Sequence, residues 1–186
     1  MTYAVLPALK ANKELAKAWE PKITSSTYDP RFLPIDKKDG AILGMAMTEK
    51  QGGSDVRANT TKATPVNGTE YRLTGHKWFC SAPMSDAFLM LAQAPGGLTC
   101  FLVPRFRPDG SQNSIFIQRL KEKVGNKSNA SSEIELEETY GVRVGDEGRG
   151  VPTIIQMVNH TRLDCVIGST AYMRQATVQA IHHARY

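Results

Sequence analysis

The residues best able to do chemistry fall in two short segments. The first, Met45 to Val56, reads MAMTEKQGGSDV: Met47 and the Thr48 hydroxyl end an apolar run, Gly52-Gly53 follow, and Ser54 supplies a second hydroxyl. Two adjacent glycines let the backbone turn N–H groups toward an anion, and hydroxyls on either side can hold two parts of one extended polar ligand. The second segment, Gly75 to Ser81, reads GHKWFCS. Its Trp78-Phe79 pair can lay an aromatic wall along a flat heterocycle, with Cys80 and Ser81 as small polar contacts beyond it. Singly, each has a plain structural explanation: GGSD is a common tight turn, and a strand tryptophan is commonly core. Their occurrence together, in order along the chain, is the informative feature.

Other chemistries find no support. There is no G-x-x-x-x-G-K-[ST], no H-E-x-x-H and no G-x-S-x-G. Gly148-Arg149-Gly150 begins like a dinucleotide loop, but Thr153 stands where a third glycine belongs, so it reads as a strand-to-helix turn. Cys80, Cys100 and Cys165 are odd in number and widely spaced, which predicts neither a disulfide framework nor a metal site, and fits reduced thiols in an intracellular, cytoplasmic setting. His182 and His183 are adjacent, so on a helix they face different ways and read as solvated. His76, beside Gly75, reads as a residue that orients a turn. Glu49 reads as a structural loop acid, and Arg162 and Asp164 as ion-pair or packing residues.

The elements that must position the two segments follow from periodicity. Leu6, Leu9, Leu15 and Trp19 recur at helical spacing, predicting one amphipathic helix over Tyr3 to Trp19, with Pro21 and the polar stretch Thr24 to Pro34 as linker. From Ala41 the pattern changes to strands: 41–47, 61–66, 69–73, 76–80, 87–92, 99–103, 114–120 and 132–136. Asn67-Gly68 gives a strong hairpin signal, because both residues tolerate positive φ. Strands at this spacing predict an antiparallel barrel or sandwich. After Gly148 the period is helical, with a break expected near Asn159-His160 and a long helix, His160 to Arg185, of about 39 Å. A helix of that length with no closing cap belongs to a bundle whose other members lie outside this sequence. The expected division is 1–40, an N-terminal helical end and linker; 41–145, a β-domain; and 146–186, the start of a helical domain. The class is α+β.

Composition bounds these readings. With 186 residues and 41% apolar content, the chain can bury a core. Its longest apolar runs, such as Ala87 to Ala92, are far short of the ~20 residues a membrane span requires, so no membrane insertion is expected. Basic residues number 23 and acidic residues 18, for a net charge of +5. That is mild, and reads first as a solvated surface.

The order of strand, TE-x-x-G-G-S-D, hairpin, G-x-K-W-F, further strands and long helix resembles the acyl-CoA dehydrogenase superfamily over about Gly44 to Tyr186. The wording MTEKQGGSDV, GHKWF-x-S and LK-x-K-x-GN-x-SNAS is most similar to its AidB-like, alkylation-response branch. The resemblance implies a middle β-domain that binds FAD, and α,β-dehydrogenation of acyl-CoA thioesters with hydride transfer to flavin N5. It implies that Met47 and Thr48 meet the isoalloxazine edge, that Gly53 and Ser54 approach the diphosphate side or the acyl-CoA, and that Trp78, Phe79, Cys80 and Ser81 lie along the ring. Cys80 departs from the Thr or Ser common at its position: Ser81 is the neighbour able to take over the hydroxyl role, and Cys80 can instead pack as a small apolar residue. The family's catalytic glutamate belongs to a later region, so no catalytic residue is assigned within this chain, and the chain alone is expected to be inactive. A homotetramer is implied for the family. For the AidB-like branch, a DNA-associated flavoprotein acting in alkylation-damage protection is the alternative, with weak DNA contact expected here.

Overall fold

Seven strands build the fold, and the computed structural model describes all residues, 1–186. They are β1 (Leu43–Ala46), β2 (Lys62–Asn67), β3 (Glu70–Ser81), β4 (Ala87–Ala94), β5 (Gly97–Pro104), β6 (Ile115–Leu120) and β7 (Ser131–Val144). Antiparallel ladders join β4 to β5, β5 to β7 and β7 to β3. The ring is closed by β1 and β2, each of which reaches both β3 and β4, so the sheet forms a closed barrel. Closure is not wholly antiparallel: Leu43 to Ala46 run parallel to Ala87 to Met90. Strand β6 lies outside the ring and pairs only with β7.

Strands β4 and β5 are buried on both faces, which explains why they read as continuous apolar runs rather than alternating ones. Phe88, Met90, Phe101 and Val103 point into the barrel, against Tyr71, Leu73, Ile134 and Leu136. Leu89, Leu91, Cys100 and Leu102 point outward into a second core. That core is completed by the N-terminal helices α1 (Leu6–Leu9) and α2 (Lys13–Ile23) and by the first turns of α3 (Gly150–Arg185), through Leu9, Trp19, Ile23, Ile154 and Met157.

Several elements differ from the sequence expectation. The single helix expected over Tyr3 to Trp19 is broken at residues 10–12, where the Asn12 side chain accepts the Leu15 N–H and caps α2. The second helix runs through Pro21 to Ile23, because Trp19 and Ile23 are both drawn into the helical core. The strands expected at 69–73 and 76–80 are one strand, β3, with a register shift between Leu73 and Gly75. Gly75 sits there at φ +148°, and a Cβ on it would lie 2.7 Å from Thr61 Cα. Strand β7 does not stop at Leu136 but continues to Val144, past the apolar gap at Glu137-Glu138 and through Glu138 at φ 47°. The expected break near Asn159-His160 is absent: α3 is one helix of 36 residues, about 54 Å long. Neither residue excludes the helical backbone, and Thr161 returns its hydroxyl to the Val158 carbonyl. The linker is pinned: Arg31 pairs with Asp29 at 2.6 Å, and Lys38 with Asp86 at 2.6 Å.

Candidate functional site

The two segments singled out from the sequence meet on the outside of the barrel. After β1 ends at Ala46 the chain loops through Met47 and Thr48, and the carbonyl of Thr48 accepts the N–H of Trp78 from β3 at 2.8 Å. Asn59 holds the loop from its far side, donating to the Met47 carbonyl at 2.9 Å. Gly52, at φ +119°, closes a turn on Glu49, its N–H reaching the Glu49 carbonyl at 3.0 Å. A Cβ on Gly53 would stand 2.8 Å from Thr48 Oγ1, so a glycine there keeps the hydroxyl clear. Ser54 is exposed at the rim.

A second register shift in β3, between Lys77 and Cys80, determines which way the aromatic pair faces. Three residues of β3 span two of β7 there, so Trp78 and Phe79 both lie outside the barrel while Lys77 and Cys80 both lie inside. Phe79 is 43% exposed. This corrects the expectation for Cys80. Its side chain is fully buried in the barrel core rather than presented along a ligand ring, and burial pushes its thiol up to about 12. Ser81 is half-buried and paired to Met45 and Ser131 across the sheet.

The barrel interior below this face holds an ion pair. Lys77 Nζ lies 2.7 Å from Glu49 Oε1 and 2.6 Å from the Leu91 carbonyl. Glu49 also accepts from the Thr60 N–H at 2.6 Å, the Thr60 hydroxyl at 3.0 Å and the Thr61 N–H at 3.1 Å. Burial alone would raise the Glu49 carboxyl, but Lys77 and these hydrogen bonds hold it down at about 2. Burial presses the Lys77 ammonium downward, opposed by Glu49. The structural role read for Glu49 is thus given a partner that the sequence did not reveal. Parity along a regular strand would have put Lys77 and Phe79 on one face, and the bulge breaks that parity. His76 accepts the Lys50 N–H at 2.9 Å, orienting the turn.

Basic residues surround the aromatic pair. Lys121 Nζ lies 3.2 Å from the Trp78 ring centroid and 4.7 Å from that of Phe79, with Arg119 and Lys50 at 5.9 and 5.6 Å from Trp78. Glu133 accepts from both Lys121 and Arg119 at 2.7 Å, and the Lys121 bond foremost holds its carboxyl below the usual range. This ring is assembled from β6, β7 and the loop after β1, so no local spacing announced it. A cleft of about 280 Å³ opens beside Trp78, between Lys50, His76, Glu133 and Glu135. A larger cleft, about 420 Å³, lies elsewhere, between Trp19, Ile35, Phe106 and Tyr140, and contains none of the residues expected to meet a ligand.

The face can receive a flat, polar heterocycle. Neither the Met47 nor the Thr48 N–H finds an acceptor within the chain. Together with the Thr48 hydroxyl they form donors at the edge of an aromatic wall, the combination that suits a ring with carbonyl and ring-nitrogen acceptors along one side.

Comparison with known proteins defines the class. Residues 44–139 match the family described as acyl-CoA dehydrogenase, middle domain, and residues 1–30 match the adaptive response protein AidB N-terminal domain. The chain belongs to the acyl-CoA dehydrogenase family. Within it, the chain is 50% identical over 185 residues to the putative acyl-CoA dehydrogenase AidB of Escherichia coli, covering 99% of this chain and 34% of that protein. The Caenorhabditis elegans ACDH-11 structure, in complex with an acyl-CoA, superposes with a TM-score of 0.80 at 33% identity, over 94% of this chain and 30% of that one. An acyl-CoA dehydrogenase from Bacillus anthracis, complexed with FAD, shares the fold at a TM-score of 0.54 and 24% identity, over 62% of this chain and 20% of its own. The chain therefore spans about a third of the length of the relatives it matches. No helix is long and apolar enough to cross a membrane.

Proposed function

We propose that this chain is the flavin-holding part of an FAD-dependent acyl-CoA dehydrogenase-like oxidoreductase. The observation that carries the reading is the convergence of Thr48 and Trp78, tied by a 2.8 Å backbone hydrogen bond, on an outer face with unpaired N–H donors. The chemistry FAD supplies when bound is acceptance of a hydride from the β-carbon of the acyl thioester. The residues of this chain bind and orient. The Thr48 hydroxyl and the Met47 and Thr48 N–H groups hold the polar edge of the ring, and favour negative charge there. Trp78 and Phe79 cover the ring and exclude water, with Ser81 beside them. Gly53 and Ser54 leave room for, and hydrogen-bond, the diphosphate side or the acyl-CoA. The acyl-CoA of the C. elegans relative and the FAD of the B. anthracis relative support this assignment of ligands.

No side chain here is proposed as the base that takes the α-proton, so the chain alone is expected to bind without turning over. Assembly into a tetramer is proposed for the longer protein. The division into an N-terminal helical end to residue 40, a flavin-binding β-domain over 41–145 and a helical start at 146 is likewise proposed.

Titration of the purified chain with FAD, followed by flavin absorption and fluorescence, tests this reading. Saturable binding that weakens about tenfold or more on Thr48→Ala, and further on Trp78→Ala, is expected, since each change removes a hydrogen bond or a stacking surface. Saturable binding unchanged in the double variant places the flavin elsewhere and overturns it.

A second reading, a DNA-associated flavoprotein of alkylation-damage protection, is favoured by the 50% identity to AidB and by the basic residues Lys50, Arg119 and Lys121 around exposed aromatic rings. It requires DNA binding that falls steeply with salt. Absence of binding at low salt rejects it for this chain.

A further inference from the structure

The Glu49–Lys77 pair has both side chains fully sealed from solvent, and touches none of the groups proposed to meet a ligand. Its neighbours in sequence do. Thr48-Glu49 and Lys77-Trp78 are two adjacent pairs, one on each of two crossing segments. On the inside of the barrel wall, Lys77 Nζ meets Glu49 Oε1 at 2.7 Å. On the outside, the Trp78 N–H meets the Thr48 carbonyl at 2.8 Å. The ladder between β1 and β3 is a single residue pair, Met45 with Ser81, so regular strand pairing does little to fix the loop after β1 against β3.

We infer that the buried Glu49–Lys77 pair is a positioning clamp that fixes the register of Thr48 against Trp78. Only the identity of the ligand on the resulting face rests on the flavin reading. An apolar pair could fill the same space, but apolar contact is non-directional. The carboxylate is directional, and both of its oxygens are committed. Oε1 takes the Lys77 ammonium and the Thr61 N–H, and Oε2 takes the Thr60 N–H and hydroxyl. Lys77 is fixed a second time by the Leu91 carbonyl on β4. A one-residue slip between the segments would leave two opposite charges unpaired in a medium that solvates neither. The arrangement thus admits one register, and that register brings the Thr48 carbonyl to the Trp78 N–H.

The test compares the chain with its Glu49→Leu/Lys77→Met double variant by amide hydrogen exchange and by FAD titration. Removing both charges avoids stranding either one, so the double variant is expected to keep the protection of the Leu89 and Leu102 amides. The Trp78 amide alone is expected to exchange about tenfold faster or more, with FAD binding weakened by a similar factor. Parental exchange at Trp78 overturns the clamp, and so does an equal loss of protection at all three amides, which would mark the pair as general stability. If the parent chain takes up no FAD, the flavin reading fails for this chain, while the exchange comparison still decides the clamp. Should the double variant not fold, Glu49→Gln/Lys77→Met carries the same comparison, because it removes both charges while keeping one amide oxygen as an acceptor for Thr60 or Thr61.

Discussion

At the scale of single residues, the chain separates groups that look alike in sequence. Cys80 and Cys100 are fully buried, and burial drives both thiols upward, whereas Cys165 is exposed on α3. Since thiolate and access both govern reactivity, a disulfide reagent should modify one cysteine in the native chain and three after denaturation. Cys165→Ser should abolish the native reaction, and mass spectrometry checks both counts. Glu49 makes a second prediction. Its carboxyl is held at about 2 when folded, against 4.5 when free. A group with a depressed folded pKa contributes stability that is fully present above 4.5 and is lost as pH falls toward 2. Urea unfolding at pH 6 and pH 3 should therefore differ, and Glu49→Gln should shrink the difference, the group itself accounting for on the order of 3 kcal/mol across the full window.

At the scale of elements, the bulges of β3 do more than its regular stretches. The shift at Gly75 needs both a positive φ and room beside Thr61, so Gly75→Ala should destabilise the chain by about 2 kcal/mol or more, read by chemical denaturation. The long helix makes another expectation. Its buried packing ends at Val158; beyond it His160 and Asp164 still touch Tyr3, while Leu163, Val166, Tyr172 and Met173 are exposed. Amides after residue 160 should exchange far faster than those of 154–158, because tertiary packing supplies most helical stability.

What was legible in the sequence follows the same division. Thr48, Gly53 and Trp78, which the structure brings together, could be singled out because residue type within a few positions of chain marks them. A packing role for Cys80 was open from its residue type, but the inward turn that decides it was not legible, because a bulge changes parity without leaving a signature of its own. Lys121 was hidden for a different reason: it reaches Trp78 only through the pairing of β6 with β7 and β7 with β3. The continuity of α2 through Pro21 was set by the burial of Trp19 and Ile23 in the helical core, whereas Asn159-His160 carry no feature that excludes the helix.

At the scale of the whole molecule, β4 and β5 are walls shared by two cores. Leu89 and Met90 are neighbours that serve opposite sides. Truncating either to Ala should cost about 2–5 kcal/mol, and both variants should unfold in a single transition by fluorescence and by circular dichroism, since neither core can open without its shared wall. The two tryptophans divide this labour conveniently, with Trp19 in the helical core and Trp78 on the outer face of the barrel.

Barrel closure also has a kinetic consequence. The strands that complete the ring are distant in sequence: Leu43 must find Ala87, and Glu70 must find Val142. Such pairings require long loops to close before any contact rewards them, and α1, at four residues, is too short to persist before its docking surface exists. Refolding should therefore be slow, in the range of milliseconds to seconds, with Trp19 burial lagging strand formation in stopped-flow experiments. During synthesis α1 and α2 would emerge before the strands they dock on and settle after them, waiting undocked while β4 and β5 follow them out.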